Sequence, residues 1–392
     1  MLTRKEIEDL EDKNLAPYAM KSKDAGSRQY PESDHPTRTC YQRDRDRIVH
    51  SQAFRKLEYK TQVFIIFEGD YYRTRLTHTL EVAQIARTIG RNLQLNEDLI
   101  EAIALAHDLG HPPFGHAGED ALNEIMRETN TIFNHNRRSF EIVTKFEKRY
   151  PDFNGLNLTG EVLVGILKHK TVYDIPASDI PAGMKKLLKE GPTLEAQVVD
   201  VADSLAYLNH DIDDGLTSGC LTEGDLVDSA LWDTALKKVK KTSRSFNQEM
   251  LKYQIVKELI DMQVKDLLFY SDKALENARL KSANDVKRSK KTWIGFGKEM
   301  EGERNRLQKL VNERLYHHYR VERMTSKAKR VIRDLFNVYE KNPAQLPYSV
   351  YPRNTRIDKK AKYSIICNYI ASMTDRFALD EHKKLFNPYE KV

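Results

Sequence analysis

The chain has 392 residues, of which 40% are apolar and 31% charged, with a formal net charge of +6. That balance describes a globular protein and excludes a disordered, collagenous or membrane-embedded one. The mild basic excess permits a polyanionic ligand without requiring it, and Cys40, Cys220 and Cys367 form no CxxC pair, which excludes a zinc ribbon or disulfide framework.

The N-terminus is polar and does not read as a signal peptide. The longest apolar run, 63–67, is too short for a bilayer. The expectation is a cytoplasmic protein without membrane contact. Residues 1–40 carry Pro17, Pro31 and Pro36 and read as an arm with one short helix. In 41–75, arginines and aromatics are dense. The alternating signs of RDRDR (43–47) predict an ion-paired structural element rather than a nucleic-acid patch. TQVFIIFEGD (61–70) is the one strand candidate, either a short β-hairpin near 60–70 or an irregular loop.

From Thr77 the pattern becomes helical: Leu80, Ile85, Ile89 and Leu93 share a face, predicting a helix over 77–93. Asn96 caps a second helix with Leu99, Ile100, Ile103 and Ala104 inside. Gly110 and Pro112–Pro113 end it near 108–110. Further helices are predicted over 117–128, 136–148, 160–169 and 194–211, and long amphipathic stretches near 246–280, 299–340 and 358–376. The basic segment 281–292 reads as a mobile loop. No P-loop, GxGxxG or βαβα alternation is present, so the fold class is all-α.

Histidines concentrate between positions 78 and 210, and four lie at His78, His107, His111 and His116 beside Asp108. In HDLGHPPFGH (107–116) a helix ends in His-Asp and runs into a Gly/Pro loop with two more histidines. His107 follows Ile103 by four residues and Ala104 by three, so it faces the core, where an ionisable group needs a partner. A divalent ion would be that partner, since imidazole and carboxylate are its ligands. Asp108 is adjacent and His78 opens the preceding helix. A further carboxylate should come from 194–215, where Asp203, Tyr207 and Asp211 are spaced i, i+4, i+8. Asp203 lies among Val199, Ala202 and Leu205; Asp200, on nearly the same face, is its rival. Taken singly, each residue has a structural explanation, such as a packed histidine or a capping aspartate. The joint pattern is hard to explain by packing. A second dipeptide, His210–Asp211, lacks the histidine loop and is set aside as a metal dyad.

The pattern resembles the HD superfamily, in which a histidine, a His-Asp dipeptide and a later aspartate bind one or two divalent ions. QRDRDRIVHSQAFRKLEYKTQVF (42–64), RLTHTLEVAQIAR (75–87), AHDLGHPPFGHAGE (106–119), FNHN (133–136), ADSLAYLNHDIDDG (202–215) and YIASMTDRFALDEH (369–382) are similar to the bacterial dGTPase-like family over most of the chain. The resemblance implies an HD-domain core at 41–215 and a helical region at 216–392 that completes the site and the oligomer interface. It implies His78, His107, Asp108 and Asp203 as metal ligands, with His116 and Glu119 as a catalytic pair and His135 and His111 as further active-site histidines. Arg75 would hold the α-phosphate, Gln62 and Asp211 would read the 3′-hydroxyl, Tyr207 would pack where a 2′-hydroxyl would go, and Lys168 would contact phosphate. A human relative has lysine after the metal aspartate, where this chain has Ser204, so one phosphate contact is missing or comes from elsewhere.

The implied reaction converts a dNTP and water into a deoxynucleoside and triphosphate. Metal and Arg75 would neutralise charge at the α-phosphorus, and a histidine held by a carboxylate would protonate the leaving 5′-oxygen. Mn²⁺ or Mg²⁺ leads the cofactor expectation, with Fe²⁺, Ni²⁺ or Zn²⁺ compatible with the same ligands. Family partners imply a homo-oligomer, a hexamer foremost, and an allosteric dNTP or single-stranded DNA. The rivals are another HD phosphohydrolase, such as a 5′-nucleotidase or phosphodiesterase, and a non-catalytic nucleotide or DNA sensor.

Overall fold

A computed structural model describes residues 1–26, 28–62, 72–169, 190–242, 247–352 and 357–391. Among them every regular element is a helix. A capping box at Thr3 starts α1 (Arg4–Asn14). The chain beyond α1 is packed: Ala16, Ala19 and Met20 are buried, and the Met20 amide donates to Glu195 at 2.9 Å. The RDRDR segment lies in α2 (Cys40–Val49) and is ion-paired as its alternation predicts. Arg43 and Arg47 meet Glu32 at 3.0 and 2.6 Å, and Arg45 meets Asp98 at 3.1 Å. After α3 (Gln52–Lys56) comes the region expected to hold a hairpin. Residues 63–71 lie outside the described ones; at the flanks Thr61 and Thr74 form an isolated antiparallel bridge.

The framework of the site is α4 (Arg75–Asn92), α5 (Glu97–Ala106), α8 (Gly160–Leu167) and α9 (Leu194–Ser218). Thr74 caps α4, which begins two residues before the expected start. In α5, Leu99, Ile100 and Ala102 through Ala106 are all buried, while Glu97, Asp98 and Glu101 stay partly exposed, so the second half of the helix is interior. Each buried Leu or Ile stabilises by about 1.5–3 kcal/mol. α4, α8 and α9 pack around α5. Gly165 permits the α8 contact, since a Cβ there would lie 2.8 Å from Ile103. α9 runs beyond the expected end at 211 because Ile212 continues its buried stripe.

α6 (Gly115–Arg127) and α7 (His135–Glu141) follow the His-Asp loop. The helix expected to reach 148 stops being α-helical at Glu141 and continues as a π turn, Ile142–Phe146. After α9 come α10 (Glu223–Leu226), α11 (Ala230–Thr242) and α12 (Gln248–Ala278), then α13 (Ala283–Ser289) and α14 (Lys298–Val311), and finally α15 (Tyr319–Lys341), α16 (Lys359–Ala371) and α17 (Asp375–Phe386). The expected loop at 281–292 is corrected: Ser282 caps α13, and Val286 inserts into the main core. The stretch 299–340 is two helices, broken by a π turn at Asn312–Tyr316. One apolar cluster joins α4, α5, α8 and α9; a second joins α6 with α15, α16 and α17; a third joins the end of α9 with α11, α12 and α14. The loop from α5 to α6 therefore bridges the first two clusters. No described helix is long and apolar enough to cross a membrane.

Candidate functional site

The His-Asp loop is shaped by close backbone contacts. A Cβ on Gly110 would lie 2.1 Å from the His135 carbonyl oxygen and 2.3 Å from the Ser139 nitrogen, so glycine alone lets the loop rest on α7. The Ser139 hydroxyl donates to the His107 carbonyl and accepts from the Gly110 amide, both at 2.8 Å. Phe114 is left-handed (φ 64°), a conformation costing about 1–3 kcal/mol for such a residue. Its amide donates to Asp375 at 2.9 Å, which holds the turn.

His78, His107 and Asp108 bring one ligand atom each within 4.8 Å of one another, all buried. Asp203 approaches from α9, with Oδ1 2.9 Å from His78 Nε2 and 3.7 Å from His107 Nε2. His107 Nδ1 lies 2.6 Å from the Ala104 carbonyl and donates to it. A neutral His107 therefore carries its proton on Nδ1 and turns an Nε2 lone pair, buried and without a hydrogen-bond partner, to the carboxylates. A divalent ion fits that arrangement of imidazole and carboxylate. Burial alone would raise the Asp108 carboxyl, but His107, Arg75 and His111 hold it well below the usual range. Burial is likewise overcome at Asp203 by His107, His169 and His78.

Asp200 turns away from this group to His169 Nδ1 at 2.7 Å, and His169 Nε2 reaches Asp203 Oδ2 at 3.1 Å. His169 is absent from the sequence expectations, yet His107, His169 and Asp203 form a second group able to hold a metal. The available signal was its position just past the apolar helix GEVLVGIL, as His107 stands just past EDLIEAIALA.

On the other side of Asp108, His111 Nε2 lies 3.1 Å from Asp108 Oδ1. The His111 ring stacks on His135 with centroids 3.9 Å apart. Burial, together with Arg75 and His135, pushes His111 well below the usual histidine range. The expected His116–Glu119 pair is shared differently. Glu119 takes both the His135 amide and His135 Nδ1 at 2.9 Å, while His116 Nδ1 stands 3.9 Å away. The start of α7 presents both donors to one carboxylate, so His135 is the nearer partner. Burial would raise Glu119, but His135, His116 and His111 hold it well below its ordinary value.

Gln62, Arg75, His116, Ser204, Tyr207 and Gln308 line a pocket together with His78, Asp108 and Asp203. Arg75 is fully buried and donates through Nη1 to Asp108 at 2.9 Å; its Nε and Nη2 have no partner. Gln62 is buried with an unpartnered Oε1. The Tyr207 hydroxyl meets that of Tyr316 at 2.6 Å, and Tyr316 donates to Asp211 at 3.0 Å. Asp211 thus stands behind Tyr316, and burial pushes its carboxyl well up. Lys168 is not brought into the pocket lining; at the end of α8 its ammonium donates to the Glu190 carbonyl. α14 supplies Gln308 and, one turn earlier, buried Arg304, whose Nη2 donates to Ser204 at 3.1 Å. Tyr316, Gln308 and Arg304 were not singled out from the sequence.

Residues 75–208 match the HD domain family, and residues 294–384 match the phosphohydrolase-associated domain. A deoxyguanosinetriphosphate triphosphohydrolase-like protein of Geobacter sulfurreducens is 46% identical over 393 residues, covering all of both chains. Proteins of the same description are 47% identical over 379 residues in Geobacter metallireducens, 97% of each chain, and 44% identical over 372 residues in Ralstonia pickettii, 95% of this chain and 94% of that one. HD domains bind divalent metals, which agrees with the buried His107 lone pair and the acids around it. Likeness of this degree from end to end means that the chain belongs to the HD-domain phosphohydrolases, in the deoxyguanosinetriphosphate triphosphohydrolase-like family.

Proposed function

We propose that the protein hydrolyses deoxynucleoside triphosphates, dGTP or dNTPs generally, to deoxynucleoside and inorganic triphosphate. The observation carrying this reading is Arg75: a fully buried guanidinium with two unpartnered nitrogens, beside a group able to hold a divalent ion. A buried cation with open donors calls for an anion, and a polyphosphate is the anion that uses a metal at the same time. His78, His107, Asp108 and Asp203 would hold the ion, Mn²⁺ or Mg²⁺ foremost. Bound there, it would neutralise phosphate charge and activate water.

The chain's own residues divide the remaining work. Arg75 binds and orients the α-phosphate. His116, the more open of the pocket histidines at 31% side-chain exposure, carries the proton for the leaving 5′-oxygen. Glu119 holds His135, and through the stacked rings His111, in place. Gln62 and, through Tyr316, Asp211 read the 3′-hydroxyl, and Tyr207 packs where a 2′-hydroxyl would go. Arg304 takes over the charge that a lysine at position 204 would bring, while Lys168 stays peripheral. The division into an arm (1–40), a catalytic core (41–215) and a C-terminal region (216–392) belongs to this reading. So do a cytoplasmic homo-oligomer, a hexamer foremost, and a dNTP or single-stranded DNA effector.

The test is product analysis by anion exchange after incubation with each dNTP and with a mixture, in Mn²⁺. Deoxynucleoside with intact triphosphate is expected, and activity in the mixture alone would show an effector requirement. Monophosphate or free phosphate would indicate another HD phosphohydrolase, and metal binding without turnover a sensor.

A further inference from the structure

His210 is buried and belongs to a His-Asp dipeptide that plays no part in the metal-competent group. Its Nδ1 lies 3.1 Å from His78 Nδ1, and its Nε2 lies 2.7 Å from Glu81. Glu81 in turn accepts from Arg73 Nε at 3.0 Å, and Arg73 Nη2 reaches Asp213 at 2.8 Å, with Asp214 on Nη1. The spacing explains how the helices supply this line. His78 and Glu81 are i, i+3 on α4, and His210, Asp213 and Asp214 are i, i+3, i+4 on α9, so each set shares a face.

With His78 Nε2 given to a metal, the line admits one consistent placement of protons. His78 points Nε2 at Asp203 and the metal-competent group. A neutral imidazole that offers Nε2 as a ligand carries its proton on Nδ1, and that proton faces His210 Nδ1. His210 Nδ1 must then be the acceptor, so His210 carries its own proton on Nε2 and gives it to the Glu81 carboxylate. Arg73 fixes that carboxylate as an anion and is itself anchored by two aspartates.

We propose that His210 is the positioning residue for His78: with Glu81 and Arg73 behind it, it fixes the tautomer and ring orientation that present His78 Nε2 to the metal. The proposal rests on the reading of His78 as a metal ligand, and its test separates the two. Mn²⁺ affinity is measured by titration calorimetry on the full-length protein, and the visible spectrum of its Co²⁺ form is recorded, with thermal melts confirming folding. The variants are His78→Ala, His210→Leu, His210→Gln and Glu81→Gln.

His78→Ala is expected to lose tight binding. His210→Leu removes the acceptor and is expected to weaken Mn²⁺ binding about 10- to 100-fold, the usual effect of losing an outer partner of a metal ligand, and to shift the Co²⁺ spectrum. His210→Gln, whose side-chain oxygen can accept from His78 Nδ1, is expected to recover most of that loss. Glu81→Gln gives a smaller loss through the same path and covers the case in which His210→Leu does not fold. If His78→Ala binds metal like the wild type, the metal-site reading fails. If His78→Ala loses the metal while folded His210→Leu or Glu81→Gln keeps wild-type affinity and spectrum, the positioning role is overturned and the site stands.

Discussion

At the scale of single residues, the question is which carboxylate on α9 belongs to the metal group. Asp203 lies 2.9 Å from His78 Nε2, whereas Asp200 is turned to His169. Asp203→Ala should therefore abolish tight metal binding, measured as metal content after dialysis. Asp200→Ala should keep the metal, with affinity lowered only as far as His169 loses its orientation. Normal metal content in folded Asp203→Ala would sink the assignment. His116 makes the complementary case. It lines the pocket but is absent from the candidate metal groups. His116→Ala should keep the metal and lose about 10²–10⁴ in rate, the usual worth of a general acid.

At the scale of elements, α14 contributes what local pattern could not reveal. Arg304 is buried, stacks over Phe296 at 4.2 Å and bonds Gln263 and Ser204, all of them neutral groups. Burial, only partly offset by exposed Glu301, pulls its guanidinium down to about 10. A buried guanidinium beside neutral groups gains most when an anion arrives. Arg304→Met should weaken inhibition by inorganic triphosphate about tenfold or more, the worth of a charge-assisted hydrogen bond, with Mn²⁺ affinity unchanged. Unchanged triphosphate inhibition would make Arg304 a packing residue. His107 and Asp203 were legible in the sequence because each shares a face with apolar residues on its own helix, and helix period is a local property. Arg304, Tyr316 and His169 were not, because their roles depend on a partner 100, 105 or 34 positions away. α13 escaped for another reason: its basic composition hid one cap, Ser282, and one buried side chain, Val286.

At the scale of the whole molecule, buried carboxylates tie the parts together. Glu195 on α9 accepts the Met20 amide of the arm and the Asn96 amide that precedes α5, at 2.9 and 3.3 Å. Burial raises it from 4.5 to about 7. A carboxyl whose folded value exceeds its unfolded one loses stability as pH rises from the lower value to the higher, because the unfolded chain gives up its proton first. Unfolding free energy should fall across about pH 4.5 to 7, by about 3 kcal/mol at 1.4 kcal/mol per pH unit. Glu195→Gln should remove that fall, leaving the variant more stable than the wild type above pH 7 and equal to it below pH 4.5 in urea melts. Asp375 makes the longest tie. It belongs to α17, in the region matching the phosphohydrolase-associated domain, yet it holds two pieces of the pocket. One oxygen takes the Thr61 amide at 3.0 Å and the Thr61 hydroxyl, next to Gln62; the other takes the amide of left-handed Phe114 at 2.9 Å, between His111 and His116. Asp375→Ala would leave two buried amides without an acceptor, at a cost of about 1–3 kcal/mol each, and would free the strained turn. The expected result is a lower urea midpoint, a reduced turnover rate and unchanged metal content, since His78, His107, Asp108 and Asp203 do not touch it. Asp375→Asn keeps one acceptor and should recover part of both losses. A variant that lost stability but kept the full rate would show that the C-terminal region supports the core without shaping the pocket.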